Sequence, residues 1–322
     1  MGATNMKSAV WTAWENHVVN DTYPLRRVLG ASHHGVVFLT EYRATELAIK
    51  LVPVETVRVA DRLAEWKAAA TITHPHLIQL FDVGRCQLGR REFVFVVMEY
   101  AQQTLTQILR KRALAPDEVR EMLSHVLDTL AWLHRDDLVH GHLKPSNILA
   151  VNDQLKLSSD TIRATGQAPS GVVRTSLYDP PELRDRTIST AGDMWALGMT
   201  LVEVLTQRTW AAARGQGETT ASLLSNVPEP FQDTARRCLR RAPADRATAS
   251  ELLAQYRPAT AAVEPTLKLE STEAQETTQS ETAIETADEP ADPPNVSLIR
   301  LTLGALAAAL LLFLGAWAIL RS

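Results

Sequence analysis

Residues 140–147 read His-Gly-His-Leu-Lys-Pro-Ser-Asn, a short stretch holding three groups suited to proton and phosphate chemistry. His142 carries an imidazole whose unperturbed pKa, about 6.5, suits a general base. Lys144 supplies a cation two positions on, and Asn147 closes the string with an amide. A second constellation lies far upstream. Gly30, Ser32 and Gly35 punctuate an apolar run that continues through Val36 and Val37, and Ala48-Ile49-Lys50 sits in the next such run. Glycines let backbone N–H groups approach phosphate, and a lysine on a neighbouring strand adds a point charge for the same oxygens. Taken by themselves these residues are equally a glycine-punctuated hairpin with a surface lysine, and His142 is equally a packed histidine without a chemical role.

The elements that must carry these groups follow from periodicity. Residues 36–42 and 46–52 alternate or run β-branched on either side of Arg43-Ala44-Thr45, which predicts a hairpin. From Val57 to Ile72 apolar side chains recur at helical spacing, with Val59, Leu63, Trp66 and Ala70 on one broad face. Glu65 lies on this helix, where a plain solvated carboxylate is the alternative to a functional one. A strand from Phe93 to Met98 leads into Glu99-Tyr100-Ala101. Pro116 and Glu118 open a long helix to Asp136, whose core stripe is Val119, Met122, Val126, Leu130 and Leu133. It delivers the chain to His140.

Composition sets the outer bounds. The chain has 322 residues, with 33 Lys plus Arg against 37 Asp plus Glu; residues 259–322 hold 3 and 9 of these, leaving 30 against 28 in the rest. So even a balance excludes an electrostatic case for nucleic-acid binding. Cys86 and Cys238 have no metal-ligand spacing and read as free thiols of a reducing compartment. Glu15, Asn16 and His17 interrupt any secretory leader, so the globular part is expected in the cytoplasm. Residues 259–295 carry nine acids, one lysine and no aromatics, the composition of an extended, disordered tether. Leu301 to Leu320 is uncharged between Arg300 and Arg321, long enough for one transmembrane helix. Gly304 and Ala308 form a small-xxx-small pair that could bring two such helices together. The expected organisation is an extension at 1–22, a globular domain at 23–258, an acidic linker at 259–295, and a membrane helix with a two-residue tail at 296–322.

In order and spacing, residues 23–256 resemble the protein kinase family, specifically bacterial Ser/Thr kinases with a cytoplasmic kinase domain and one membrane helix. The resemblance rests on His-x-x-Leu-Lys-Pro-Ser-Asn-Ile-Leu at 140–149 and Asp193-Met194-Trp195-Ala196-Leu197-Gly198. It implies an α+β fold with a small β-rich N-lobe and a larger helical C-lobe, followed by the C-terminal transmembrane helix. It also assigns Gly30, Ser32, Gly35, Val37, Ala48 and Lys50 to nucleotide binding, Glu65 to holding Lys50, and Glu99 to the hinge that receives adenine. His142, Lys144 and Asn147 become the catalytic loop, and Asn147 with Asp160 the metal ligands. Asp193 opens a buried helix, and Glu182, after Thr175, Tyr178 and Pro180-Pro181, pairs with Arg246.

The departures from the family pattern cluster at the chemistry. Ser32 replaces the middle glycine, and Gly141 and His142 replace the Arg and Asp of His-Arg-Asp. Asp-Phe-Gly is lost: alignment on Leu155-Lys156-Leu157 puts Ser159 at the metal ligand, whereas counting from Asn147 favours Asp160. The resemblance therefore implies a membrane-tethered pseudokinase in the cytoplasmic (inner) membrane, with ATP as candidate ligand and magnesium held weakly or not at all. Its partner would be a protein, whether an active kinase, a substrate or a membrane-complex subunit, with homodimerisation through the membrane helix as a further expectation. The alternatives are a Ser/Thr kinase with weak or atypical phosphotransfer, and a structural adaptor that binds no nucleotide.

Overall fold

The computed structural model describes residues 11–32, 35–167, 176–185, 188–209 and 220–256. A short hairpin, β1 (Val18–Val19) and β2 (Tyr23–Pro24), precedes five long strands: β3 (Val28–Ser32), β4 (Gly35–Tyr42), β5 (Thr45–Pro53), β6 (Leu80–Leu88) and β7 (Arg91–Glu99). These five form one antiparallel sheet in the order β3-β4-β5-β7-β6. The β4–β5 hairpin closes through Arg43 and Ala44, both at positive φ (49° and 65°), with Tyr42 opposite Thr45. Such a turn matches the right-handed twist of the strands it joins. Gly35 has φ +149°, and a Cβ there would lie 2.2 Å from the carbonyl oxygen of Leu51, so only glycine lets β4 start this close to β5.

Period-2 alternation gives the sheet two apolar faces. On one, Phe38, Ile49, Leu51, Phe93 and Phe95 pack with Val19 and Leu25, and Trp11, Trp14 and Tyr23 lie over them. Residues 11–22 pack against the β-rich half: Asn16 N–H donates to the Leu25 carbonyl and Leu25 N–H to that of His17. The opposite face, with Ala48, Val94, Val96 and Met98, packs on Trp66 and Ala69 of α1 (Val59–Ala70). That helix starts two residues later than its periodicity suggests because Val57 is extended and Arg58 is the N-cap.

The helical half follows as α2 (Leu105–Leu109), α3 (Pro116–Arg135), α4 (Thr190–Thr206), α5 (Thr220–Leu224), α6 (Phe231–Cys238) and α7 (Ala249–Tyr256). The apolar stripe of α3 is fully buried. Its start is fixed by Glu118, which accepts the N–H of Ala115 and is gripped by Arg112. Two small sheets frame the loop at His140. β8 (Gln103–Thr104), β10 (Ile148–Val151) and β11 (Gln154–Leu157) form one, and β9 (Leu138–Val139) pairs with β12 (Arg163–Ala164) in the other.

Thr175, the acidic tether and the apolar run at 301–320 lie outside the described residues. Among the described residues no helix is long and apolar enough to cross a membrane. The chain divides into two units, residues 1–263 and 264–322, and every described residue belongs to the first.

Candidate functional site

A buried carboxylate pins the loop that carries His142. Asp193, in the first turn of α4 and 2% exposed, accepts the N–H groups of His140 and Gly141 at 2.8 Å each and faces His134 Nε2 at 3.0 Å. Gly141 has φ +72°, and a Cβ there would stand 3.3 Å from the Thr161 carbonyl oxygen. Beyond it, Asn147 donates from Nδ2 to the carbonyl of His142 at 2.7 Å, closing the loop on itself.

Lys144 Nζ lies 2.7 Å from His142 Nε2. An ammonium can only donate, so Nε2 is the acceptor and its lone pair is occupied. Burial pushes the imidazole pKa down to about 3, and the charges of Lys144 and Lys50 add to the shift. The ring is therefore neutral near pH 7. Lys144 is also lowered, by burial first and then by Lys50.

Asp160 is the carboxylate in the cleft. After β11, Ser158 N–H bonds the Asn147 carbonyl, and Ser159 turns inward to donate its hydroxyl to the Ile78 carbonyl at 2.5 Å. This leaves Asp160 Oδ2 2.5 Å from Lys50 Nζ, while Trp66 Nε1 donates to the Asp160 carbonyl at 2.9 Å. Burial by itself would raise this carboxyl, but the Lys50 charge and hydrogen bond, with Arg62 and His140 behind them, bring its pKa to about 2. Of the two registers the sequence leaves open, Asp160 faces the lysine and Ser159 faces the core.

Glu65 departs from the role the resemblance implied. Its carboxylate lies 3.2 Å from Arg62 and 3.5 Å from Arg163, whereas Lys50 is bound by Asp160. Two guanidinium groups outweigh a single ammonium that already has a closer carboxylate. Arg163, 8% exposed on β12, also donates from Nε to the Thr161 carbonyl. Glu99 is likewise a strut: both its oxygens take Lys156 Nζ at 2.8 Å, tying the end of β7 to β11.

Of the other residues that the resemblance assigns to nucleotide binding, Gly30 and Ser32 lie on the edge strand β3, and Val37 and Ala48 on the inner strands β4 and β5. Gly30 lies on β3 with nothing within 4 Å of a Cβ position, and Ser32 Oγ reaches the Gly35 carbonyl at 3.4 Å. Val37 and Ala48 share an apolar cluster with Leu29, Met98, Ala101 and Leu149. Leu149 and Arg163 were missed as site residues in the sequence: Leu149 ends the string at 140–149 but only strand pairing brings it here, and Arg163 sits in no recognisable motif. Far below, Arg246 takes Glu182 in a two-pronged pair at 2.5 and 2.7 Å, donates to the Ala191 and Arg240 carbonyls, and stacks on Trp195 at 5.0 Å.

Among the described residues no three His, Cys, Asp or Glu side chains gather as a metal cluster. Asp160 and Asn147 nonetheless offer oxygen donors of the kind a hard divalent ion takes, and would be the residues to hold one. When present, that ion would offset phosphate charge.

The family description Protein kinase domain matches residues 23–256, and the chain belongs to the protein kinase family. Cell division control protein 2 homolog 3 of Trypanosoma brucei brucei is 29% identical over 198 residues, 57% of this chain and 62% of that protein. Cyclin-dependent kinase D-1 of Arabidopsis thaliana is 31% identical over 228 residues, covering 66% and 55%. The Streptomyces coelicolor protein named Probable serine/threonine-protein kinase SCO3848 is 30% identical over 155 residues, 45% and 23%. The chain thus spans less than two thirds of each. The crystal structure of the Mycobacterium tuberculosis PknI kinase domain superposes with a TM-score of 0.60 at 21% identity, covering 75% of this chain and 96% of that one. The β-rich and helical halves are the two lobes of the protein kinase fold.

Proposed function

We propose that this chain is a membrane-tethered pseudokinase, a kinase-family domain kept for binding and signalling with little or no phosphotransfer to hydroxyl groups. The observation that carries this reading is His142. It stands where the family has a proton-accepting carboxylate, its lone pair is occupied by Lys144, and its ring resists protonation down to about pH 3. A base that weak gives a substrate hydroxyl little help. Lys50 and Lys144 bring two cations into a cleft with Asp160, which supports ATP binding that depends little on a divalent ion. The uncharged run at 301–320 supports anchoring in the cytoplasmic membrane, with the domain in the cytoplasm and a protein partner there.

A second reading, a Ser/Thr kinase with weak or atypical transfer, is favoured by one feature: Asp160 and Asn147 remain as oxygen donors beside Lys50. Phosphotransfer tolerates loss of its base because its transition state is loose. The full chain in detergent, incubated with labelled ATP and magnesium or manganese, separates the two. Label that accumulates and disappears in Lys50→Ala overturns the pseudokinase reading; a raised melting midpoint with ATP but no label supports it. No shift and no label leaves the structural adaptor.

A further inference from the structure

Away from the cleft, three histidines meet where the two lobes join. His74 and His76 lie on the segment between α1 and β6, and His125 lies on α3. The His76 and His125 rings are 4.1 Å apart between centroids and 33° from parallel; His74 stands 6.0 Å from His76 and 5.3 Å from Trp132 of α3. His76 N–H donates to His74 Nδ1 at 3.2 Å, and His76 Nδ1 carries its proton to the Leu155 carbonyl at 2.8 Å. The charged neighbours come from α3: Asp128, 3.5 Å from His74 Nε2, and Glu121, which acts on His125. From β11 the facing group is the Leu155 carbonyl, since Lys156 is engaged with Glu99.

The same segment holds the strand that seats Asp160. Leu157 N–H donates to the His76 carbonyl at 2.8 Å, Ile78 N–H donates to that of Leu157 at 2.9 Å, and Leu77 and Leu157 form a parallel bridge. Asp160 follows three residues after Leu157. Movement of the His76 ring is therefore passed to β11 through one short piece of backbone.

We infer that the cluster of His74, His76 and His125 is a proton-sensitive joint that holds β11 against the helical lobe while His74 and His125 are neutral and slackens it when they take protons. A proton on His74 or His125 puts charge on a partly buried ring packed against His76, a cost that Asp128 and Glu121 on α3 offset only in part. Burial lowers the pKa of His74 and of His125, and His76 lowers that of His125 further. The sign follows: a histidine depressed in the folded state contributes stability that is present above about pH 6.5 and lost as pH falls below it. The joint itself is read from its own geometry; only its consequence for Asp160 rests on the proposed nucleotide cleft.

Amide exchange on the full chain in detergent tests it, comparing protection at Leu157 and Ile78 near pH 7.5 and near pH 5.5. In the native chain protection, corrected for intrinsic exchange, should fall by about tenfold or more. In His125→Phe, which keeps a ring on His76 but cannot titrate, most of that fall should vanish; His125→Gln gives the same comparison without the ring. No fall in the native chain, or equal falls in the native chain and both variants, overturns the joint. Absence of any ATP-induced stabilisation at either pH would count against the nucleotide reading and leave the joint standing.

Discussion

At position 142 the imidazole accepts a hydrogen bond from Lys144 while adding no negative charge. Burial is the first cause of the lowered pKa of each group, with the Lys144 and Lys50 charges adding at His142 and the Lys50 charge at Lys144. A positioned base is worth about 10²–10⁴-fold in proton transfer, yet His142→Asp should leave phosphotransfer near background. Glu65 would still sit with Arg62 and Arg163, and Lys50 would still lie on Asp160. A single-turnover assay checks this, and a gain of that full size would show the loop to be the sole lesion. The imidazole's low pKa has a second consequence. The folded state refuses a proton that the unfolded chain takes below about pH 6.5, so His142→Asn should flatten the fall of the melting midpoint between there and about pH 3. The string at 140–147 made His142, Lys144 and Asn147 visible in the sequence. Their mutual contacts were not, because a loop has no period from which side-chain direction can be read.

At the scale of elements, periodicity was a good guide. The β4–β5 hairpin, the helix bearing Glu65 and the long α3 lie where apolar spacing puts them, since each must bury one face. The two glycines at the start of the sheet make different demands. Gly35→Ala should destabilise the chain by roughly 1–3 kcal/mol for its backbone alone, with the overlap on Leu51 in addition. Gly30→Ala, with open space around it, should stay within about 0.5 kcal/mol; chemical denaturation of both variants reads the difference. Of the two arginines at Glu65, Arg62 lies one turn back on the same helix, whereas Arg163 was illegible for a physical reason: it comes 98 residues further on, borne by a two-residue strand too short to leave a pattern.

Over the whole molecule, the helical lobe is closed by contacts far apart in sequence. Arg246, its side chain fully buried, reaches back 64 residues to Glu182. Removing Arg246 strands a partly buried carboxylate and leaves the Ala191, Arg240 and Arg241 carbonyls without this donor, so Arg246→Ala should cost about 3–5 kcal/mol. The expected fall in melting midpoint is about 6–20 °C, and an unchanged midpoint would refute the assignment. This pair carried a motif at both ends and was readable in advance. The sequence alone determined the family, the order of the lobes and the absence of a carboxylate from residues 140–147, because residue types and spacing survive without coordinates. Only the tertiary structure decided which carboxylate meets Lys50, that Arg163 joins Arg62 at Glu65, and that residues 11–22 pack against the sheet. Those are competitions among groups distant in the chain, and distance in space settles them.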